Sequence, residues 1–185
     1  MTVTEQNIAH YAEWVGREAT ASSTIAPESG DLMAATLDRA DRPVKPGDPI
    51  PPMWLQMAFR PDAPRREIGP DGHPARGSFL PPVALPRRMF AGARYRYLAP
   101  LPYGIEITRT ARIASVTGKQ GSSGPMVFVT VANGYAADGT LCIEEEQDIV
   151  YRAAAAPGSP PPAAPEPKPL PEAPWAETWT PDTVT

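Results

Sequence analysis

The sequence predicts an α+β domain in which one antiparallel sheet wraps a single central helix, and three observations lead there. Residues 85–152 pass through four strand-like segments joined by short turns. A continuous antiparallel meander has an inner face that something apolar must cover. The stretch able to cover it is Pro51-Pro-Met-Trp-Leu-Gln-Met-Ala-Phe59, short and nearly all apolar. Lastly, 185 residues suit one domain with extensions, since domains usually hold about 100–150 residues. The expected division is a sheet-and-helix domain over 1–152 and a Pro/Ala-rich linker or tail over 153–185.

Each element has its own signal. Thr2 and Glu5 have the spacing of a capping box, and Ile8, Tyr11, Ala12 and Val15 follow at helical intervals until Gly16 ends the helix. Residues 18–25, rich in Ala, Thr and Ser, read as a strand or an extended link. Pro27 suits the first turn of a second helix, with Leu32, Met33, Thr36 and Leu37 as its partial apolar face. In 51–59, apolar residues cover more than one face, so that helix should be buried nearly all round. Residues 60–83 are long, aperiodic and rich in Pro and Gly; such loops are lids, binding loops or disordered segments.

Four strands then follow. Ala93, Tyr95, Tyr97 and Ala99 alternate against Arg94, Arg96 and Leu98. Ile105, Ile107, Ala111 and Ile113 share one parity, with Arg109 interrupting. Residues 126–135 are apolar on both faces, as in a central strand. Ala137-Asp-Gly-Thr140 is a hairpin turn. In the last strand Leu141, Ile143, Ile149 and Tyr151 share a face with Glu145 and Gln147. A bulge that turns both polar residues outward is the preferred reading, because Glu is seldom fully buried. The other reading points them inward, where they need partners. A sheet curled around one buried helix is a hotdog layout, which directs attention to acyl thioesters.

Composition removes several function classes. A net charge of −4 and a pI near 5.2 carry no nucleic-acid footprint. No run approaches the roughly 20 apolar residues that span a bilayer. Glu5, Glu13 and Glu18 without an apolar core between them argue against a signal peptide. The single cysteine, Cys142, has no internal partner, and a cytoplasmic home is the simplest expectation. Proline is abundant at 26 residues, but ten lie between Pro157 and Pro181, so the excess is partly a property of the tail.

Searches for familiar chemistry return little. There is no phosphate-loop pattern, no paired cysteines and no metal-ligand spacing, so neither cofactor nor metal is expected. His10 falls off the apolar phase of its helix and reads as a surface residue. His73 lies in turn chemistry, Pro70-Asp-Gly-His-Pro74. Ser122 and Ser123 have no evident base. Two constellations are better. Arg87-Arg88 precedes Met89-Phe90-Ala91-Gly92, where paired guanidinium groups and a strand glycine suit a phosphate ligand; the alternative is a solvated basic corner. Lys119-Gln-Gly-Ser-Ser-Gly124 is either an anion-binding turn or an ordinary hairpin tip.

Leu85-Pro-Arg-Arg-Met-Phe-Ala-Gly92, Lys119-Gln-Gly-Ser-Ser-Gly124 and Gln147-Asp-Ile-Val-Tyr-Arg152 resemble the N-terminal half of MaoC-like dehydratases. The branch is that of hydroxyacyl-thioester dehydratase type 2 and the mesaconyl- or itaconyl-CoA hydratases. Ala34-Ala-Thr-Leu-Asp-Arg39 and Gly47-Asp-Pro-Ile-Pro-Pro-Met-Trp54 agree with it. The resemblance implies a single hotdog fold and a substrate-binding set of Trp54, Arg87, Arg88, Met89, Phe90, Gly92, Lys119, Gly121, Ser123 and Gly124. It also implies a second hotdog repeat that carries an Asp/His catalytic pair. In the corresponding residues 24–38 of this chain, Asp31 and Asp38 are present without a histidine, so no catalytic residue transfers.

That absence has chemical weight. Water addition beta to a thioester needs an acid–base pair and donors for the enolate-like oxygen. The prolines at the start of 51–59 remove N–H donors where a helix dipole would act. The leading expectation is therefore a hotdog half, completed by a second chain that carries the pair, acting on acyl-CoA or acyl carrier protein thioesters. A homodimeric hydratase using Asp31 or Glu145, and a non-catalytic acyl-CoA-binding module, are the alternatives. Trp175 and Trp179 read either as anchors on a partner surface or as incidental aromatics in a tail. No nucleic-acid or membrane partner is expected.

Overall fold

The computed structural model describes residues 5–40, 42–60, 62–121, 124–154 and Thr180. The chain divides into units Met1–Ala154 and Ala155–Thr185. Thr2, Ser122, Ser123, Trp175, Trp179 and nearly all of the Pro-rich segment lie outside the described residues.

The elements run α1 (Glu5–Ala12), β1 (Glu18–Thr24), α2 (Pro27–Thr36), then β2 (Arg87–Tyr97), β3 (Glu106–Gly121), β4 (Gly124–Ala137) and β5 (Thr140–Arg152). The strands form one antiparallel sheet in the order β1-β3-β4-β5-β2. This is a hotdog fold. The β4–β5 turn forms because Asp138 and Gly139 both take positive φ, 47° and 75°, as a tight primed hairpin requires.

The covering segment differs from the expected helix. Only Trp54–Met57 is helical, a single 3-10 turn, and Met53 before it sits at φ 70°. Pro51 and Pro52 withhold the N–H groups a longer helix would need. The turn still lies on the sheet: Leu55 is buried, and Trp54, Met57 and Phe59 pack beside it, whereas Met53 is half exposed. The apolar face assigned to α2 is also corrected. Leu32 and Leu37 face solvent, and Gly30 and Ala34 are the buried pair. A Cβ on Gly30 would sit 2.8 Å from the Tyr103 ring, so small residues let this helix approach closely. Val15 likewise points outward.

The inner face of the sheet holds two apolar clusters. One gathers Tyr11, Val83, Leu85, Ile113, Val129 and Tyr151 beneath α1 and the end of the long loop. The other gathers Ile25, Ile50, Leu55, Ile107, Tyr135 and Ile143 beneath the 3-10 turn. Between them runs a polar band. Tyr95 on β2 pairs in register with Glu145 on β5, and Glu145 pairs with Asn133 on β4. Arg109 on β3 pairs with Tyr135.

A bulge does exist on β5, but it falls at Cys142, before Glu145. It places Cys142 and Ile143 both in the core and turns Leu141 out. Glu145 thereby faces inward at 4% exposure. The preferred outward reading of Glu145 is overturned.

Candidate functional site

The polar band floors a cavity of about 470 Å³, within the usual range for small-molecule sites. Leu55, Gln56 and Phe59 from the 3-10 turn wall one side, residues 73–75 and 78–80 of the long loop another, and Arg88, Met89 and Phe90 of β2 a third. Arg109, Asn133, Tyr135, Glu145, Gln147 and Ile149 are contributed by the sheet. A second, open groove lies over the other face, where Arg94 pairs with Glu146 and Asp148 and Arg96 pairs with Glu144. Exposed pairs of this kind contribute little.

Glu145 survives burial because three donors reach it. Tyr95 donates at 2.7 Å, Tyr135 at 2.5 Å and Asn133 at 3.1 Å. Burial, and then the hydrogen bond to the Glu145 carboxylate, push both phenols well above the ordinary tyrosine value. Gln56 in turn donates to Tyr95 at 3.1 Å, tying the 3-10 turn to the band. The group is a closed network rather than a poised acid–base pair, since its carboxylate is already occupied by donors.

The long loop is fastened rather than formless. Arg76 donates to Val83 O and Leu85 O, both at 2.6 Å, and to Asp71 at 3.1 Å. Arg88 reaches the other Asp71 oxygen and the Pro74 carbonyl, both at 3.1 Å. Desolvation works to raise the Asp71 pKa, but the Arg76 hydrogen bond, the His73 amide and the Arg88 charge together hold it below the ordinary value.

The expected binding residues do not form one cluster. Arg88, Met89 and Phe90 line the cavity, but Arg87 is exposed and adjacent on the strand, so the two guanidinium groups are not a clamp. Trp54 borders a smaller hollow with Ala34 and Tyr103, under the Arg39 guanidinium. Nothing lies within 4 Å of a Cβ built on Gly92. Lys119, Gly121 and Gly124 sit at the β3–β4 hairpin tip, with Lys119 Nζ 5.1 Å from the Phe128 ring centre. Ser123 lies outside the described residues. Asp31 accepts from the Val44 amide at 2.9 Å, and His10 is half exposed beside Glu13. His73 borders the cavity through the loop. Sequence reading missed Asn133, Tyr135 and the Asp71–Arg76 pair; the one legible signal was Arg109 breaking an apolar parity.

The family model of hydroxyacyl-thioester dehydratase type 2 matches residues 54–185, well over half of the chain. The chain belongs to the hydroxyacyl-thioester dehydratase type 2 family. It is 44% identical over 163 residues to the mesaconyl-C(4)-CoA hydratase of Chloroflexus aurantiacus, a match covering 88% of this chain. The chain spans 57% of that relative's length. The fold is that of a chain of the ChsH1-ChsH2 complex from Mycobacterium tuberculosis, at TM-score 0.57 and 15% identity, covering 86% of this chain and 97% of that one. A chain of the C-terminally truncated HadBC (3R-hydroxyacyl-ACP dehydratase) complex of the same organism aligns at TM-score 0.50 and 11% identity, over 76% and 98%. Like them, this hydroxyacyl-thioester dehydratase type 2 chain presents a hotdog sheet. Among its described residues no helix is long and apolar enough to cross a membrane, and no group of three or more His, Cys, Asp or Glu could hold a metal.

Proposed function

We propose that this chain is the acyl-pocket half of a hydroxyacyl/enoyl thioester hydratase–dehydratase, completed by a second hotdog unit that supplies the Asp/His pair. The carrying observation is a formed cavity whose one buried carboxylate, Glu145, already accepts from three donors. Addition of water needs a base that can take a proton and an acid that can give one. Glu145 is occupied, and its two phenol partners hold their protons more tightly than free tyrosine. The cavity can therefore seat an acyl chain but lacks the paired groups for its hydration. Met89, Phe90 and Phe59 are assigned to the acyl chain, and the exposed Arg87 and Lys119 to the phosphate-bearing CoA or carrier arm. Trp54, Gly92, Gly121, Ser123 and Gly124 belong to that outer arm in the same proposal.

Family membership and the long match to a hydratase support this reading. The test is hydration of crotonyl-CoA and mesaconyl-CoA by the purified chain, with and without a candidate hotdog subunit carrying the Asp/His pair. Turnover that appears only with the partner, together with co-elution, is expected. Full turnover by the chain alone, abolished in Glu145→Gln, would replace this reading with a self-sufficient hydratase. Acyl-CoA binding with no turnover under either condition would leave a binding module.

A further inference from the structure

Two polar side chains of β5, Glu145 and Gln147, stand on the inner face of the sheet beside the cavity, and only one of them has its partners. Glu145 lies in register between Tyr95 and Asn133, and both donate to it. Gln147, two residues further on, lies in register between Ala93 and Val131. Those neighbours are aliphatic and offer an amide nothing. Among the described residues no hydrogen bond reaches the Gln147 side chain, although it is half-buried. It faces the cavity one row along the sheet from the Phe90–Ile149 pair. An amide held among aliphatic groups without a partner costs free energy, and a bound polar group removes that cost. The amide also says which group. It is neutral and both donates and accepts, and a hydroxyl answers it in kind. A plain hydrocarbon chain laid across it satisfies neither role.

We propose that Gln147 holds the hydroxyl of the acyl chain, so that the cavity grips the hydrated thioester more firmly than the same chain without its hydroxyl. This rests on the thioester reading above and adds a residue that determines specificity within it. Apolar walls from Phe79, Leu80, Phe90 and Ile149 suit the carbons on either side of the hydroxyl. A side-chain amide is neither acid nor base near neutral pH, so Gln147 orients and retains the chain and moves no proton. Its loss changes which thioester is preferred rather than how water is added.

Calorimetric titration of the full chain with 3-hydroxybutyryl-CoA and with butyryl-CoA tests this, because the two differ only in the hydroxyl. One hydrogen bond at a half-buried amide corresponds to roughly threefold to tenfold tighter binding of the better-bound hydroxy enantiomer. Gln147→Met keeps the length of the side chain and removes the amide. In that variant the preference disappears while butyryl-CoA affinity holds or improves, and Gln147→Glu, with an oxygen at the same reach, keeps part of it. Because the amide has no partner in the fold to lose, Gln147→Met melts no lower than the wild type. The wild-type preference is read without any variant, so poor folding of one does not blunt the test. Equal or tighter binding of butyryl-CoA to the wild type overturns the hydroxyl contact and leaves the thioester reading in place. So does a Gln147→Met that weakens both ligands alike, as an amide engaged with the carrier arm would, or one that melts several degrees lower. If neither thioester binds, with or without a hotdog partner, both proposals fall together.

Discussion

Glu145 shows how a carboxylate can be kept inside a sheet. Two phenols and one amide converge on it from neighbouring strands, and each replaces a hydrogen bond to water lost on burial. Removing one donor should therefore cost more than an average hydrogen bond. Tyr135→Phe is expected to lower stability by about 1–3 kcal/mol in urea titration. The pH consequence follows from the raised phenol pKa values. A tyrosine harder to ionise when folded contributes stability that is complete below about pH 10 and lost as pH rises beyond it. Denaturation midpoints should thus hold steady through neutral pH and fall on the alkaline side, less steeply in Glu145→Gln. Alternation alone could not reveal this network. It shows that Glu145 shares a face with Ile143 and Tyr151, and burial statistics then argue for turning it outward. The partners that hold it inward instead come from β2 and β4, about 10 to 50 residues away in sequence.

Among the elements, the strands were the most legible because alternation and turn chemistry are local. Ala137-Asp-Gly-Thr140 specifies its own geometry, and Arg109 visibly breaks its strand's apolar parity. Helical length at 51–59 was less legible, since apolar composition demands burial without dictating a backbone, and the prolines decide the outcome. What matters for the cavity is the anchoring side chain. Leu55→Ala should cost about 2–5 kcal/mol, the usual range for a buried leucine, and should loosen the Gln56–Tyr95 contact seen by amide exchange. The long loop obeys a different logic. Asp71 joins two arginines that are themselves largely shielded, with side-chain exposures of 19% and 8%. Asp71→Asn strands both cations and should cost about 2–3 kcal/mol, somewhat less than a fully buried pair. Because the Asp71 pKa is lowered, its contribution is present above about pH 4 and is lost as pH falls through the folded value. Proteolysis within 60–83 should accelerate in the variant at neutral pH and in the wild type only in acid.

At the scale of the whole molecule, the sheet ends on β2, whose outer edge has no strand beside it among the described residues. That edge carries Phe90 at 66% exposure, and Tyr97 and Leu98 at 48% each. An apolar open edge is a site for pairing with another strand-bearing surface, and proteins that remain alone usually guard it with charge. Arg87 at the start of β2 stays exposed, but Arg88 is spent on Asp71, and Arg94 and Arg96 are spent on Glu144, Glu146 and Asp148 across the sheet. They stiffen the edge instead of guarding it. The cavity opens beside the same strand, through Met89 and Phe90, so a unit docked there would stand next to the cavity's mouth. The divided hydratase proposed above would need such an arrangement, with the cavity on one side of the seam and the acid–base pair on the other. Leu98→Lys lies on the exposed edge and outside the cavity lining, so it should leave the thermal midpoint of the isolated chain within about a degree. Sedimentation velocity should show the substitution shifting the assembly, with itself or with a hotdog partner, toward monomer by tenfold or more in dissociation constant. Partner-dependent hydration should fall in parallel, whereas binding of pentanoyl-CoA to the chain should be unaltered. An assembly that ignores Leu98→Lys would mean that the second unit meets the chain elsewhere, away from the mouth of its cavity.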